Sequence, residues 1–94
     1  MPSIANLPDD ERADLISRLR KIEGQARGIQ KMIDEGRDCQ DVINQVAAMR
    51  AAANGLSGAL LESFALNCLR HPDTFASKEQ AVKAAVDAFV KSGR

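Results

Sequence analysis

The chain has 94 residues, with 13 basic and 13 acidic side chains, three Phe, and neither Trp nor Tyr. That length makes a single domain with a modest core, for which association with another chain would add stability. The charge balance excludes a strongly basic nucleic-acid binder but not a local basic face, and the lack of any long uninterrupted apolar run excludes a membrane-spanning helix.

Residues 1–7 read as a flexible arm and 8–94 as one helical domain. The start, MPSIANLPDDER, has no basic segment followed by an apolar stretch, so it is not a secretory signal and the protein is read as cytoplasmic. Pro8 followed by Asp9, Asp10 and Glu11 is a helix start, with acids at the positive end of the dipole. Leu15, Leu19, Ile22, Ala26, Ile29 and Ile33 then recur in steps of four and three, a heptad-like stripe. Gly36 fits the left-handed residue that ends this first helix. Asp38 caps a second helix that runs to Arg70, where His71-Pro72 stops it. Its apolar residues lie nearly all round, so several neighbours must cover it. A short loop follows over 72–76. Ser77, with Gln80 three residues on, opens a third helix in a capping-box arrangement. The expected fold is all-α: two long helices and a short one.

Two cysteines, Cys39 and Cys68, lie 29 residues apart on the second helix. At 100° per residue that is eight turns plus about 20°, so both thiols face one side, about 44 Å apart along the axis. No disulfide or shared metal spans that distance within a chain, since bridged Cα atoms sit about 6 Å apart. Cooperation between them requires an antiparallel partner, in which the Cys39 end of one helix lies beside the Cys68 end of the other. The first turn pulls Cys39 both ways, with the amide dipoles and Arg37 favouring a thiolate and Asp38 and Asp41 opposing it. Cys68, at the negative end, is the poorer nucleophile, so Cys39 attacks and Cys68 resolves. The competing reading makes both thiols small buried hydrophobes. His71, the lone histidine, reads as a helix-terminus residue rather than a metal ligand.

Basic residues of the first two helices, Arg18, Arg20, Lys21, Lys31 and Arg50 among them, are interspersed with acids, a pattern that usually marks a solvated surface. Copies combined in an oligomer would make a phosphate-binding surface. No hydrolytic triad, phosphate loop or glycosidase carboxylate pair has a recognisable spacing, so the chain is not read as an enzyme.

The stretch RLRKIEGQARGIQKMIDEGRDCQDVINQVAAMRAAANGL, Arg18 to Leu56, followed by LLESFALNCL, resembles the CsoR/RcnR family of bacterial transcriptional repressors. The resemblance implies an antiparallel helical dimer that pairs into a disc-shaped tetramer, binds double-stranded operator DNA and releases it when an inducer modifies the thiol site. It carries DNA contacts onto Arg18 and Arg50, with Arg20, Lys21 and Lys31 as further candidates. Copper sensors of the family carry a cysteine and then a His-x-x-x-Cys pair. Cys39 and Cys68 match the cysteines, but Phe64 stands in the histidine position, which leaves two thiolates for copper(I) or another soft metal. No cofactor is required on this reading.

The pair of cysteines without that histidine, with EGRDCQDVI, is similar to the persulfide-sensing CstR branch, in which sulfane sulfur links the two thiols between subunits. AANGL and LES, with proline after the initiator Met, resemble formaldehyde sensors of the FrmR type, which would place an alternative site at Pro2 and Cys39. A helical dimerisation module locked by its cysteines is the alternative outside the family.

Overall fold

The computed structural model describes residues 3–71 and 77–92. Three α-helices follow in chain order: α1 over Asp9–Asp34, α2 over Cys39–Arg70 and α3 over Lys78–Ser92. The expected fold class and helix number agree with this. The loop expected over 72–76 lies outside the described residues, as do Met1, Pro2, Gly93 and Arg94.

Local chemistry sets each helix end. Pro8 occupies the cap position of α1 rather than its first turn, and Asp9, Asp10 and Glu11 fill that turn. At the other end Gly36 takes φ +69°. Its N–H donates to Ile33 O at 3.1 Å and that of Arg37 to Met32 O at 3.0 Å, the two bonds of a Schellman stop. The Asp38 carboxylate then accepts from Gln40 N at 3.1 Å and starts α2. The Ser77 hydroxyl accepts from Gln80 N at 3.2 Å and starts α3.

The arm expected to be flexible is built in part. Ser3 Oγ accepts from Ala5 N at 3.2 Å, Ile4–Asn6 form a 3₁₀ turn, and Leu7 is buried. An apolar side chain at position 7 gains more by tucking against the helices than by staying in water.

Helices α1 and α2 form an antiparallel hairpin. Glu11 near the start of α1 bonds Arg70 at the end of α2, with Arg70 Nη1 to Glu11 Oε2 at 2.8 Å. Helix α3 packs on α2 near Cys68. The result is a thin slab, 56 × 27 × 13 Å, with a radius of gyration of 17.3 Å. A compact chain of this length would have about 12 Å.

A slab this thin leaves one face of each helix open. Of the α1 stripe, Leu15 and Ile29 are buried against α2, whereas Leu19 and Ile33 are half or more exposed. On α2 Ile43, Val46 and Leu60 are exposed. The apolar pattern is wider than one chain can use.

Candidate thiol site and nucleic-acid interface

Helix α2 is unbroken over its 32 residues and carries both cysteines, which are free. Cys39 is in its first turn and exposed; Arg37 beside it lies 3.6 Å from Asp41. Cys68 is in the last turn and has no exposed surface. The two are not brought together within the chain, as the helical rise requires. Among the described residues no group of three or more His, Cys, Asp or Glu side chains is placed to hold a metal ion.

The surroundings of Cys68 come from two sides. On one, Lys78, Ala81 and Val82 of α3 wall a hollow of about 210 Å³ together with Cys68 and Leu69. Burial pushes the Cys68 thiol above its ordinary value, because a thiolate there would lose its hydration. On the other, the neighbouring Asn67 is 1% exposed, and its Oδ1 has no hydrogen-bond partner. Asn67 and Phe64 line a small cavity with Ser3, Ile4, Leu7 and Leu60. Phe64 therefore lies beneath the N-terminal turn with Ile4, Leu7 and Leu60 beside the polar Ser3 and Asn67, and its ring has no donor atom to offer a metal. His71 ends α2, its N–H donating to Asn67 O at 3.0 Å, in keeping with a helix-terminus role. Pro2, the other half of the formaldehyde site, is outside the described residues.

The basic candidates do not form one surface in a single chain. At 100° per residue Arg20 and Lys31 share a stripe of α1 within about 20°, and Arg27 falls on the same stripe. Sequence reasoning did not place Arg27 among the contacts, although its seven-residue spacing from Arg20 carries the signal. All three are exposed; Arg27 pairs with Glu23, and Lys31 Nζ lies 3.8 Å from Glu35 Oε1.

Arg18 lies on the opposite side of α1, on the stripe of Leu15, Ile22 and Ile29 that meets α2. Its Nε donates to Asp14 Oδ2 at 2.9 Å, and its Nη1 is 3.3 Å from where a Cβ on Gly55 would stand. Gly55 thus gives the guanidinium room against α2. Around it runs a groove of about 320 Å³ lined by Asp10, Glu11, Asp14, Glu62, Ser63 and Arg70, among others. Lys21 is about 100° from the Arg20 stripe, and Arg50 is exposed on α2.

No described helix is long and apolar enough to cross a membrane. Residues 11–91 match the family described as metal-sensitive transcriptional repressor. The chain is 37% identical over 81 residues to the copper-sensing transcriptional repressor CsoR of Bacillus subtilis, covering 86% of this chain and 80% of that protein. It is 30% identical over 84 residues to the transcriptional repressor RcnR of Salmonella paratyphi B, covering 86% and 93%.

Among solved structures, the Cu(I)-bound copper-sensing repressor CsoR of Geobacillus thermodenitrificans superposes with a TM-score of 0.77 at 29% identity, covering all of this chain and 94% of that one. The nickel-responsive transcriptional regulator InrS superposes with a TM-score of 0.72 at 30% identity, covering 85% and 90%. A three-helix slab, a thiol at each end of α2, and a match running from the first turn of α1 to the end of α3 lead to one assignment: the chain belongs to the family of metal-sensitive transcriptional repressors.

Proposed function

We propose that this protein is a cytoplasmic DNA-binding repressor, an antiparallel dimer paired into a disc-shaped tetramer. It releases its operator when Cys39 of one protomer is joined to the partner subunit's Cys68 by reactive sulfur. The observation that carries the reading is the placement of one exposed and one buried thiol at opposite ends of a single helix, in a slab whose open apolar faces ask for a second copy. The Cys39 thiolate takes sulfane sulfur from a polysulfide to give a persulfide, and the shortened polysulfide leaves. The partner subunit's Cys68 thiolate then attacks the inner sulfur and displaces hydrosulfide, closing an intersubunit disulfide. If both thiols are persulfidated first, they condense to a trisulfide with loss of hydrogen sulfide. The sulfane sulfur is the oxidant in each route. The Arg20–Arg27–Lys31 stripe, with Arg50, would face the phosphates, and a bridged tetramer would hold those stripes in a spacing that fits DNA poorly.

A copper(I) response is the second reading, favoured by the 37% identity to a copper-sensing repressor. Two thiolates from two chains would hold a soft ion linearly, and Phe64 supplies no third donor. The deciding experiment is a gel shift of the reduced protein with its own upstream DNA, repeated after polysulfide, copper(I) and formaldehyde, with intact mass measured on each sample. Release by polysulfide together with a Cys39–Cys68 bridge supports the first reading, and release with bound metal supports the second. A methylene bridge at Pro2 would move the site to the formaldehyde alternative. Failure to bind DNA in every state would leave only a cysteine-locked dimerisation module.

A further inference from the structure

Two apolar stripes stand open in the single chain, and each begins at a thiol. On α2 the residues four and seven beyond Cys39 are Ile43 and Val46, 58% and 36% exposed. At 100° per residue both stand within about 40° of Cys39, on the side of α2 that also carries Cys68. On α3 the residues four and seven beyond Val82 are Val86 and Phe89, and these three, with Val90, are 48–58% exposed. Val82 walls the hollow beside Cys68. The inward side of α3 is a different one: Ala81, about 100° round from Val82, is buried where α3 packs on α2. Helix α3 is thus apolar on two sides, and α2 of its own chain covers one of them.

The two open stripes share one spacing and one length, seven residues or about 10.5 Å. They cannot meet within a chain, because Ile43 stands about 38 Å along α2 from Cys68. The antiparallel pairing that brings the partner subunit's Cys39 to Cys68 also lays the partner's Ile43 and the partner's Val46 beside Val82, Val86 and Phe89.

We propose that the open stripe of α3 is the seat for the first two turns of the partner subunit's α2, and that Val86 and Phe89 are positioning residues that hold the partner's Cys39 against Cys68. The proposal rests on the intersubunit thiol pair of the preceding reading. Covering the stripe takes apolar surface of both chains out of water and fixes the incoming thiol in place. Helix α3 then joins the two subunits at each thiol pair.

The test uses the full-length chain with Cys39→Ser and Cys68→Ser, so that neither native thiol takes part. Ile43→Cys and Val86→Cys are added, and a short bismaleimide is applied. Linked dimer on a denaturing gel should exceed by at least about fivefold that from Ile43→Cys with Asp87→Cys, which stands about 100° round α3 from Val86. Equal linkage at the two positions, or none at Val86→Cys, would overturn the seat. If the multiply substituted chains do not fold, the chain with its native cysteines decides by sedimentation. There Val86→Glu should raise the dissociation constant and slow polysulfide-driven Cys39–Cys68 bridging, each by at least about tenfold, while Val86→Ile and Lys83→Ala leave both unchanged. An unchanged dissociation constant with Val86→Glu would equally overturn the seat.

The two readings fail separately. Absent linkage at Val86→Cys with intact Cys39–Cys68 bridging by polysulfide removes the seat and leaves the thiol pair. Linkage at Val86→Cys without polysulfide bridging supports the seat and removes the sulfur response.

Discussion

The Glu11–Arg70 pair ties the first turn of α1 to the end of α2, two residues past Cys68, and its removal should be asymmetric. Arg70 Nη1 donates to Glu11 Oε2 at 2.8 Å, and the two side chains are 40% and 21% exposed. The other carboxylate oxygen, Oε1, is buried without a partner. A fully exposed pair would contribute about 0.2–1 kcal/mol. Here Arg70→Met strips a mostly buried carboxylate of its cation, and leaving a buried acceptor unpaired costs about 1–3 kcal/mol. Arg70 is more than a third exposed, so solvent screens the pair and the lower half of that range applies, about 1–2 kcal/mol.

For a domain of this size, that is a fall in Tm of several degrees, at about 4–8 °C per kcal/mol. Glu11→Met alone should cost less, because it removes the orphaned oxygen together with the pair. The double variant should recover about half or more of the Arg70→Met loss. The assay is urea and thermal unfolding of the four proteins at one protomer concentration, since association shifts apparent stability. Strict additivity of the two single changes would refute the reasoning, because it would mean that the charges do not interact.

Three further outcomes are expected. Gly36→Ala forces a Cβ into a φ of +69° and should cost about 1–2 kcal/mol, while Asp38→Ala removes the cap on Gln40 N and should cost about 1 kcal/mol, both read by urea unfolding. Charge reversal at Arg20, Arg27 or Lys31 should weaken operator binding and flatten its salt dependence by about one unit of slope. Arg18→Glu, facing α2, should lower Tm more than it changes that slope, as salt titrations of the gel shift would show. The raised Cys68 value means that the folded chain keeps its proton where the unfolded chain loses it. Stability is therefore unaffected below the ordinary thiol value of 9.0 and declines as pH rises from there toward the folded value. Cys68→Ala should remove that part of the alkaline decline in pH-dependent unfolding; an unchanged curve would show the thiol is not the cause.

The sequence by itself determined the helices and their ends, because these depend on neighbours within one turn. A left-handed Gly36, a carboxylate at Asp38 and a hydroxyl at Ser77 each satisfy backbone groups a few residues away. It also determined that the two thiols stand about 44 Å apart, since an unbroken helix has a fixed rise. The tertiary structure decided what depends on contacts between helices. It buried Cys68 beneath α3 while leaving Cys39 in water, and it laid the Arg18 guanidinium beside Gly55 with the side chain still 44% exposed. It also packed Phe64 under a 3₁₀ turn in an arm whose sequence carries no strong helix signal. Periodicity marks which side of a helix is apolar but not which neighbour covers it. For that reason the stripe of α1 could be read from spacing, whereas the exposure of Leu19 and Ile33 in a single chain could not.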